Sequence, residues 1–411
     1  MLAEVPAFLI LVGLAAYAVL AGADFGAGFW TLFARGGRAS PEATRDHARH
    51  AMGPVWEANH VWLIFVLVVC WTAYPVAFAS IVSTLSLPLF AAAMGIILRG
   101  ASYALRGQLD AAPGRRLVEN VFALSSILTP FALGAVVGAI ASGRVPVGNA
   151  QGDPVTSWWN PTSALIGILL VATSSYLAAV YLAADARRLK ESMLERDFRR
   201  RALGAGVVAG ALALVGPLVL RSDAPRIWAG LTSGGGLALV ALSAAAGMAT
   251  LFLVWRRRFD PARVSAALAV AAIVAGFGYA QHPELLPGLT IEQAAAGRAT
   301  LVAVLVAVVV GAFVLVPSLI VLFSLFLSGR LETGAVAEAP ASRVHRAAAR
   351  GPSAGLGASA LASLLVGAGL VLFADSGWAR AAGVAALIAF AASGFVIVAT
   401  VSEPADESSS D

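Results

Sequence analysis

Residues 5–33 read VPAFLILVGLAAYAVLAGADFGAGFWTLF, an unbroken apolar run with one charged side chain, Asp24. At ~1.5 Å of rise per residue, a helix of this length exceeds the ~30 Å hydrocarbon core of a bilayer. The run lacks the alternation of a barrel stave and is far too long for one. It reads as a transmembrane helix. No basic segment precedes it, so it is not expected to be a cleaved signal.

Ten further runs of the same kind follow, at 54–78, 80–104, 118–142, 162–184, 203–220, 234–255, 262–281, 299–328, 355–374 and 378–401. The whole chain agrees with them. Its 411 residues are 59% hydrophobic and only 12% charged, whereas soluble domains carry about 25% charged residues. Charge this sparse cannot coat a surface in water, which excludes a cytosolic enzyme. It also excludes a nucleic-acid binder despite the pI of about 9.9, since such a partner needs a basic face in solvent. The single cysteine, Cys70, rules out a disulfide framework, a Cys-x-x-Cys pair and c-type haem attachment. The expected fold is therefore an all-α polytopic membrane protein of about eleven spans. Residues 331–354, rich in Ala, Pro and Arg, read as a linker. Residues 355–401 read as an extra two-helix hairpin, and 402–411 as an acidic, disordered tail.

Basic residues give the expected orientation. The alternate connections containing 34–53, 105–117, 185–202, 256–263 and 329–354 hold 22 Lys and Arg, and the other set holds five: Arg144, Arg221, Arg226, Arg298 and Arg380. Cytoplasmic loops carry the excess of basic residues, so the N-terminus is expected outside and the C-terminus inside.

An ionisable residue within a span faces protein or water and is a functional candidate by default. Five such residues stand out: Asp24 in span 1, Glu57 and His60 in span 2, Arg99 at the end of span 3 and Glu119 at the start of span 4. The alternation of spans puts all five toward the cytoplasmic face of one four-helix group, which reads as a polar inlet. Glu57 and His60 are spaced i, i+3 and share a helix face. They either satisfy each other or serve a proton path, in which a partly desolvated carboxylate has its pKa raised toward neutrality. Asp24 lies between Gly22 and Gly26, small residues that let helices approach closely, so it also reads as a buried hydrogen-bond hub. Arg99 is either a counter-ion or a snorkelling side chain, and Glu119, beside Arg115 and Arg116, an interfacial salt-bridge partner. Only His60 and His282 lie in or beside spans, and no His/Cys/Asp/Glu group has metal-ligand spacing. No haem or metal bound by this chain alone is expected.

Three stretches carry a family resemblance. Gly22-Ala-Asp-Phe-Gly-Ala-Gly28, Gly53-Pro-Val-Trp-Glu-Ala-Asn-His-Val-Trp-Leu63 and Gln281-His-Pro-Glu-Leu-Leu-Pro-Gly-Leu-Thr-Ile-Glu-Gln-Ala-Ala-Ala296 resemble motifs of subunit II of the cytochrome bd-type quinol oxidases. The resemblance covers about residues 1–330. It implies nine spans as two four-helix bundles plus a peripheral helix. It also implies a complex in a prokaryotic plasma membrane whose subunit I carries haem b and haem d, oxidises quinol and reduces oxygen to water. The second subunit then binds no haem. It scaffolds subunit I and contributes a proton path from the cytoplasm, with Glu57, Asn59, Asp24 and His60 along it and Arg99 and Glu119 in support. Trp56 and Trp62 belong to packing or an oxygen route. Departures from the family pattern are His60, where Glu or Gln is usual, Ser125-Ser126 in place of Gly-Ser, Asp185 near the position of a basic residue, and the two spans after residue 350. That hairpin can take the place of a small accessory subunit. The rival readings are a proton-coupled secondary transporter using Asp24 and Glu57, and a structural partner that has lost oxidase function.

Overall fold

Prolines decide where the long apolar runs break. The computed structural model describes residues 2–50, 56–106 and 112–327, with scattered positions between Ser359 and Ser393. The expected linker 331–354, the tail and most of the C-terminal hairpin lie outside the described residues. The chain divides into two compact units, Met1–Ile320 and Val321–Asp411, and the first carries the helices that build the polar site.

The element order is α1 (Glu4–Leu32), α2 (Pro41–His50), α3 (Trp56–Ala73), α4 (Pro75–Thr84), α5 (Ser86–Arg106), α6 (Ala112–Ala141), α7 (Pro161–Arg188), α8 (Ser192–Asp223), α9 (Pro225–Leu231), α10 (Gly234–Trp255), α11 (Phe259–Gln281), β1 (Glu284–Leu286), β2 (Leu289–Thr290), α12 (Ile291–Ala294) and α13 (Arg298–Leu327). Among the described residues, eight helices are long and apolar enough to cross a membrane, and α3 adds the shorter apolar stretch Asn59–Ala73. Proline opens α2, α4, α7 and α9, where its missing N–H costs nothing and its fixed φ suits the first turn.

Two boundaries differ from the expectation. The second span does not run on to residue 78: it stops at Ala73, Tyr74 is non-helical (φ −136°, ψ 62°), and α4 bridges ten residues to α5. Pro75 is the cause, because the residue before a proline is pushed out of the helical region, while the apolar run continues across the break. The sixth helix starts at Ser192 rather than 203. Its first turns carry arginines and lie beyond the apolar run, so hydropathy does not register them.

The connections sort into two ends. At the arginine-rich end, Asp197 of α8 accepts from the backbone N–H groups of Arg38 (2.6 Å) and Ala39 (2.8 Å), and Arg201 donates to the carbonyl of Phe33 (3.1 Å). Amphipathic α2 docks there through His47, whose Nε2 lies 2.9 Å from the Leu182 carbonyl. A core of Ala23, Leu177, Leu182, Phe198, Phe259 and Ala262 fills this end. At the opposite end, the Tyr74 hydroxyl donates to the Ala3 carbonyl, the Ala296 N–H donates to Ala73 (2.8 Å), and Arg144 pairs with Asp223. Tyr74, Leu85, Val145, Leu286, Ile291 and Leu301 form its core.

Between the ends, α1 packs on α3, α6 and α7, α5 on α6, α7 on α8 and α11, and α10 on α8 and α11. Gly26 sets the α1–α7 approach: a Cβ there would lie 1.9 Å from the Ser174 carbonyl oxygen and 2.7 Å from the Ala178 methyl. Close approach of small residues is what holds membrane helices together when both helix and lipid are apolar. Gly26→Ala must push α1 off α7 and is expected to cost about 1–3 kcal/mol, as overpacking does. Gly204→Ala, on α8 with nothing within 4 Å of the added methyl, is the matched control. Thermal unfolding of the full chain in detergent should show a lowered midpoint for the first and none for the second. Equal midpoints would refute the contact.

Candidate functional site

Asp24 falls eight residues before the end of α1, and Arg99 seven before the end of α5. At ~1.5 Å per residue both lie about 10–12 Å in from the arginine-rich end, at one depth on neighbouring helices. They meet. Both residues are fully buried. Arg99 Nη2 donates to Asp24 Oδ1 at 2.7 Å and to the Asp24 carbonyl at 2.8 Å, and Nε reaches Oδ2 at 3.2 Å. Of the two readings of Arg99, the counter-ion is the one observed. Its remaining nitrogen, Nη1, donates to the Ser126 hydroxyl of α6, which donates in turn to the Phe122 carbonyl at 2.6 Å. Two fixed donors on one carboxylate are the arrangement in which a buried pair recovers its desolvation cost.

The surroundings finish the site. The guanidinium carbon stands 4.3 Å from the Phe122 ring centre, 5.2 Å from Phe25 and 5.7 Å from Tyr103, so ring faces take up charge that no water reaches. Gly28 makes the room: a Cβ there would lie 2.0 Å from Ser126 Oγ and 2.6 Å from Arg99 Nη1. Gly22-Ala-Asp-Phe-Gly-Ala-Gly28 is thus one device, with a carboxylate, a ring and two clearances on successive positions.

Toward the arginine-rich surface, Arg49 of α2 pairs with Glu119 of α6 at 3.2 Å and with Asp46 at 3.6 Å. Arg49 is thus a salt-bridge partner of Glu119 contributed by another helix. Beneath this pair is a cavity of about 50 Å³ lined by Arg49, Ser102, Tyr103, Val118, Glu119 and Phe122, room for one or two waters. Tyr103 and Phe122 both line this cavity and touch Arg99. The cavity therefore lies between the Arg49–Glu119 pair and the Asp24–Arg99 pair.

The α3 residues stand on another side of Asp24. The His60 ring meets Tyr17 and Phe25 edge-on, each at 6.0 Å between centres. Asn59 is buried and its Nδ2 donates to the Leu20 carbonyl at 3.3 Å. Trp62 packs against the Tyr17, Ala21 and Phe25 cluster. Glu57 and Trp56 occupy the first turn of α3, and their side chains lie outside the described residues. The structure thus brings together Asp24, Arg99, Asn59, His60 and Trp62 around α1, with Glu119 at the cavity mouth. Ser126 and Arg49 did not emerge as site residues from the sequence, where Ser126 registered only as the second residue of the Ser125-Ser126 pair. Arg49 sits i+3 from Asp46 on a polar helix, a signal of pairing but not of a partner in α6.

Breaking the buried pair should be costly. Arg99→Gln leaves an uncompensated carboxylate and is expected to destabilise the chain by about 3–5 kcal/mol. The double variant Asp24→Asn/Arg99→Gln removes both charges and should recover part of that. Unfolding midpoints in detergent measure both, and a wild-type midpoint for Arg99→Gln alone would sink the assignment.

Against known proteins, the model of the cytochrome bd terminal oxidase subunit II family matches residues 2–326. The cytochrome bd ubiquinol oxidase subunit 2 of Bacillus subtilis (strain 168) is 28% identical over 124 residues, 30% of this chain and 36% of that protein. A second sequence from the same organism, carrying the name of a bd menaquinol oxidase subunit II, is 24% identical over 219 residues, 52% of this chain and 61% of it. The chain thus spans about a third to three-fifths of the curated relatives it matches. Among solved structures, the bd oxidase from Geobacillus thermodenitrificans superposes with a TM-score of 0.66 at 14% identity, covering 80% of this chain and 98% of that one, a likeness of fold. With a family match across most of its length and the Asp-Phe-Gly stretch built into a buried polar site, the chain belongs to the cytochrome bd terminal oxidase subunit II family.

Proposed function

We propose that this chain is the haem-free second subunit of a quinol:oxygen oxidoreductase in a prokaryotic plasma membrane. It scaffolds a haem-bearing subunit I and delivers protons from the cytoplasm, with the arginine-rich end facing inward. Its helices form two groups of four, α1, α3, α5, α6 and α7, α8, α10, α11, with α13 peripheral. The observation that carries the reading is the polar file of Arg49–Glu119, the cavity beneath it, and Tyr103 against Arg99–Asp24. It is the kind of structure a membrane protein keeps only at a cost.

Within that file the roles divide by chemistry. Asp24, clamped by Arg99 at both its carboxylate and its backbone carbonyl, orients neighbouring dipoles. Glu57 and Glu119, near the helix ends, can take a proton from water and pass it on, with His60 and Asn59 beside the route. His47, His50 and His60 do not fit a pair of axial haem ligands. His47 Nε2 faces the Leu182 carbonyl, His50 Nδ1 faces the Asp46 carbonyl at 2.9 Å, and the His60 ring is held between Tyr17 and Phe25. The family nonetheless implies haem, so haem b and haem d are assigned to the partner, where the quinol is also oxidised. A structural partner without oxidase function would need no polar file.

Glu57→Gln keeps the shape of the side chain but cannot ionise. In membrane vesicles holding the complex, it should assemble at the wild-type level and slow oxygen consumption and proton uptake by about 100-fold, the low end for a general acid–base group. Glu57→Asp should retain much of the rate. Loss of assembly would favour a structural role, and an unchanged rate would move the proton path to subunit I.

A further inference from the structure

Where α7 ends and α10 turns into α11, the arginine-rich end opens into a cavity of about 590 Å³, far from Asp24 in sequence and in no contact with its partners. Five of its wall residues are Arg187, Arg188, Arg257, Arg258 and Arg263. Only two of these are matched by a carboxylate. Arg188 pairs with Asp185 at 2.8 Å, and Arg257 lies 3.9 Å from Glu195. Among the described residues, no carboxylate is within ion-pair distance of Arg187, Arg258 or Arg263. Asp260, the other acid on the wall, leaves the cavity with a surplus of positive charge.

The arrangement is held in place. Arg257 adopts φ +57°, a conformation that side chains other than glycine's rarely take. That turn aims its carbonyl back at α7, where Arg187 Nη1 donates to it at 2.5 Å. The Arg187 guanidinium also stands 5.8 Å from the Phe259 ring and that of Arg263 5.0 Å from Tyr181, so two of the three unmatched charges lie against aromatic rings. Helix α11 starts at Phe259 with no side-chain cap, adding the positive end of its dipole to the same space. Outside the cavity, Phe252 and Trp255 are more than half exposed, with the Arg256 guanidinium 5.3 and 5.2 Å from their rings. Aromatic residues with basic neighbours mark the headgroup level of a bilayer.

We propose that this cavity binds a phosphate group, whose oxygens are read by the guanidinium forks of Arg187, Arg258 and Arg263. An anionic phospholipid headgroup and a soluble polyphosphate offer the same chemistry, and the test separates them. It requires neither haem nor turnover, so it stands or falls independently of the proton path. The full-length chain in neutral detergent is titrated at fixed ionic strength with phosphatidylglycerol, with phosphatidylcholine and with inorganic pyrophosphate, and the unfolding midpoint is followed. A ligand that binds only the folded state raises the midpoint as the logarithm of one plus the ratio of free ligand concentration to Kd, so the onset of the rise reports the affinity.

The expected result is a logarithmic rise with phosphatidylglycerol, pyrophosphate or both, and none with phosphatidylcholine. A response to the lipid alone identifies a headgroup site, and a response to pyrophosphate identifies a site open to soluble phosphates. Arg187→Gln/Arg258→Gln should weaken the apparent affinity about 100-fold or more, since each lost bond to a charged group is worth about tenfold or more. Arg258→Gln, an exposed side chain without a carboxylate partner, guards against misfolding of the double variant and should weaken it about tenfold. Arg221→Gln, an exposed arginine on the opposite end, should not. No rise with either phosphate ligand, or an equal affinity for wild type and Arg258→Gln, would overturn the proposal.

Discussion

A carboxylate and a guanidinium sealed into an apolar interior have to find each other, and the helices that carry them must then accept whatever geometry the pair demands. Asp24 and Arg99 meet this condition with a two-point contact and a third bond to the Asp24 carbonyl. The contact fixes the rotation of α1 against α5. The Arg99–Ser126 bond fixes α6 against both, and the clearance at Gly28 decides how near α6 can come. Gly26 then presses the same helix onto α7. One helix, bearing one charge and two clearances within five residues, sets the spacing of its neighbours.

The two ends of the molecule are closed by different chemistry. The arginine-rich end uses charge: Asp197 holds the backbone of the α1–α2 connection, Arg199 caps the last carbonyls of α10 at 3.0 and 2.7 Å, and Arg49 bridges α2 to α6. The far end relies more on backbone and hydroxyl groups, with Ser80 and Ser83 accepting from the N–H groups of Gly148 and Ala150 at 2.9 and 2.8 Å. Charged side chains at one end serve both to anchor helices and to leave a surplus where α10 turns into α11. The first use neutralises arginines and the second does not, which is why the cavity beside Arg258 differs from the rest of that surface.

Much of this is visible in the sequence because membrane helices obey two simple constraints. Length and apolarity mark the long helices, and the positions of charges along them give a depth, which places Asp24 and Arg99 near one another before any packing is known. What hydropathy misses has the opposite character. Tyr74-Pro75 breaks a helix without changing its apolarity, and the first turns of α8 extend one without sharing it. Arg49 lies in a polar stretch that reads as loop and turns out to be a buried face of α2. Ser126 is the limiting case: a hydroxyl mid-helix usually bonds its own backbone, and nothing local says that it also receives Arg99.

The closure at the far end also bears on the order in which the chain can be made. Its core joins Leu2, Ala3 and Ala7 to Tyr74 and Leu85, and all of these to Leu286, Ile291 and Leu301. Ribosomal synthesis delivers the first of these almost 300 residues before the last. Through most of synthesis and insertion, the opening helices must therefore stand in the bilayer with that end unsealed. The Ala73 carbonyl and the apolar faces around it lack these native partners until the short hairpin and α12 have been made. Contacts so distant in sequence form late, because loop closure must precede the reward of pairing. The last connection made thus acts as a keystone, and the bilayer itself has to hold the earlier helices upright until it arrives.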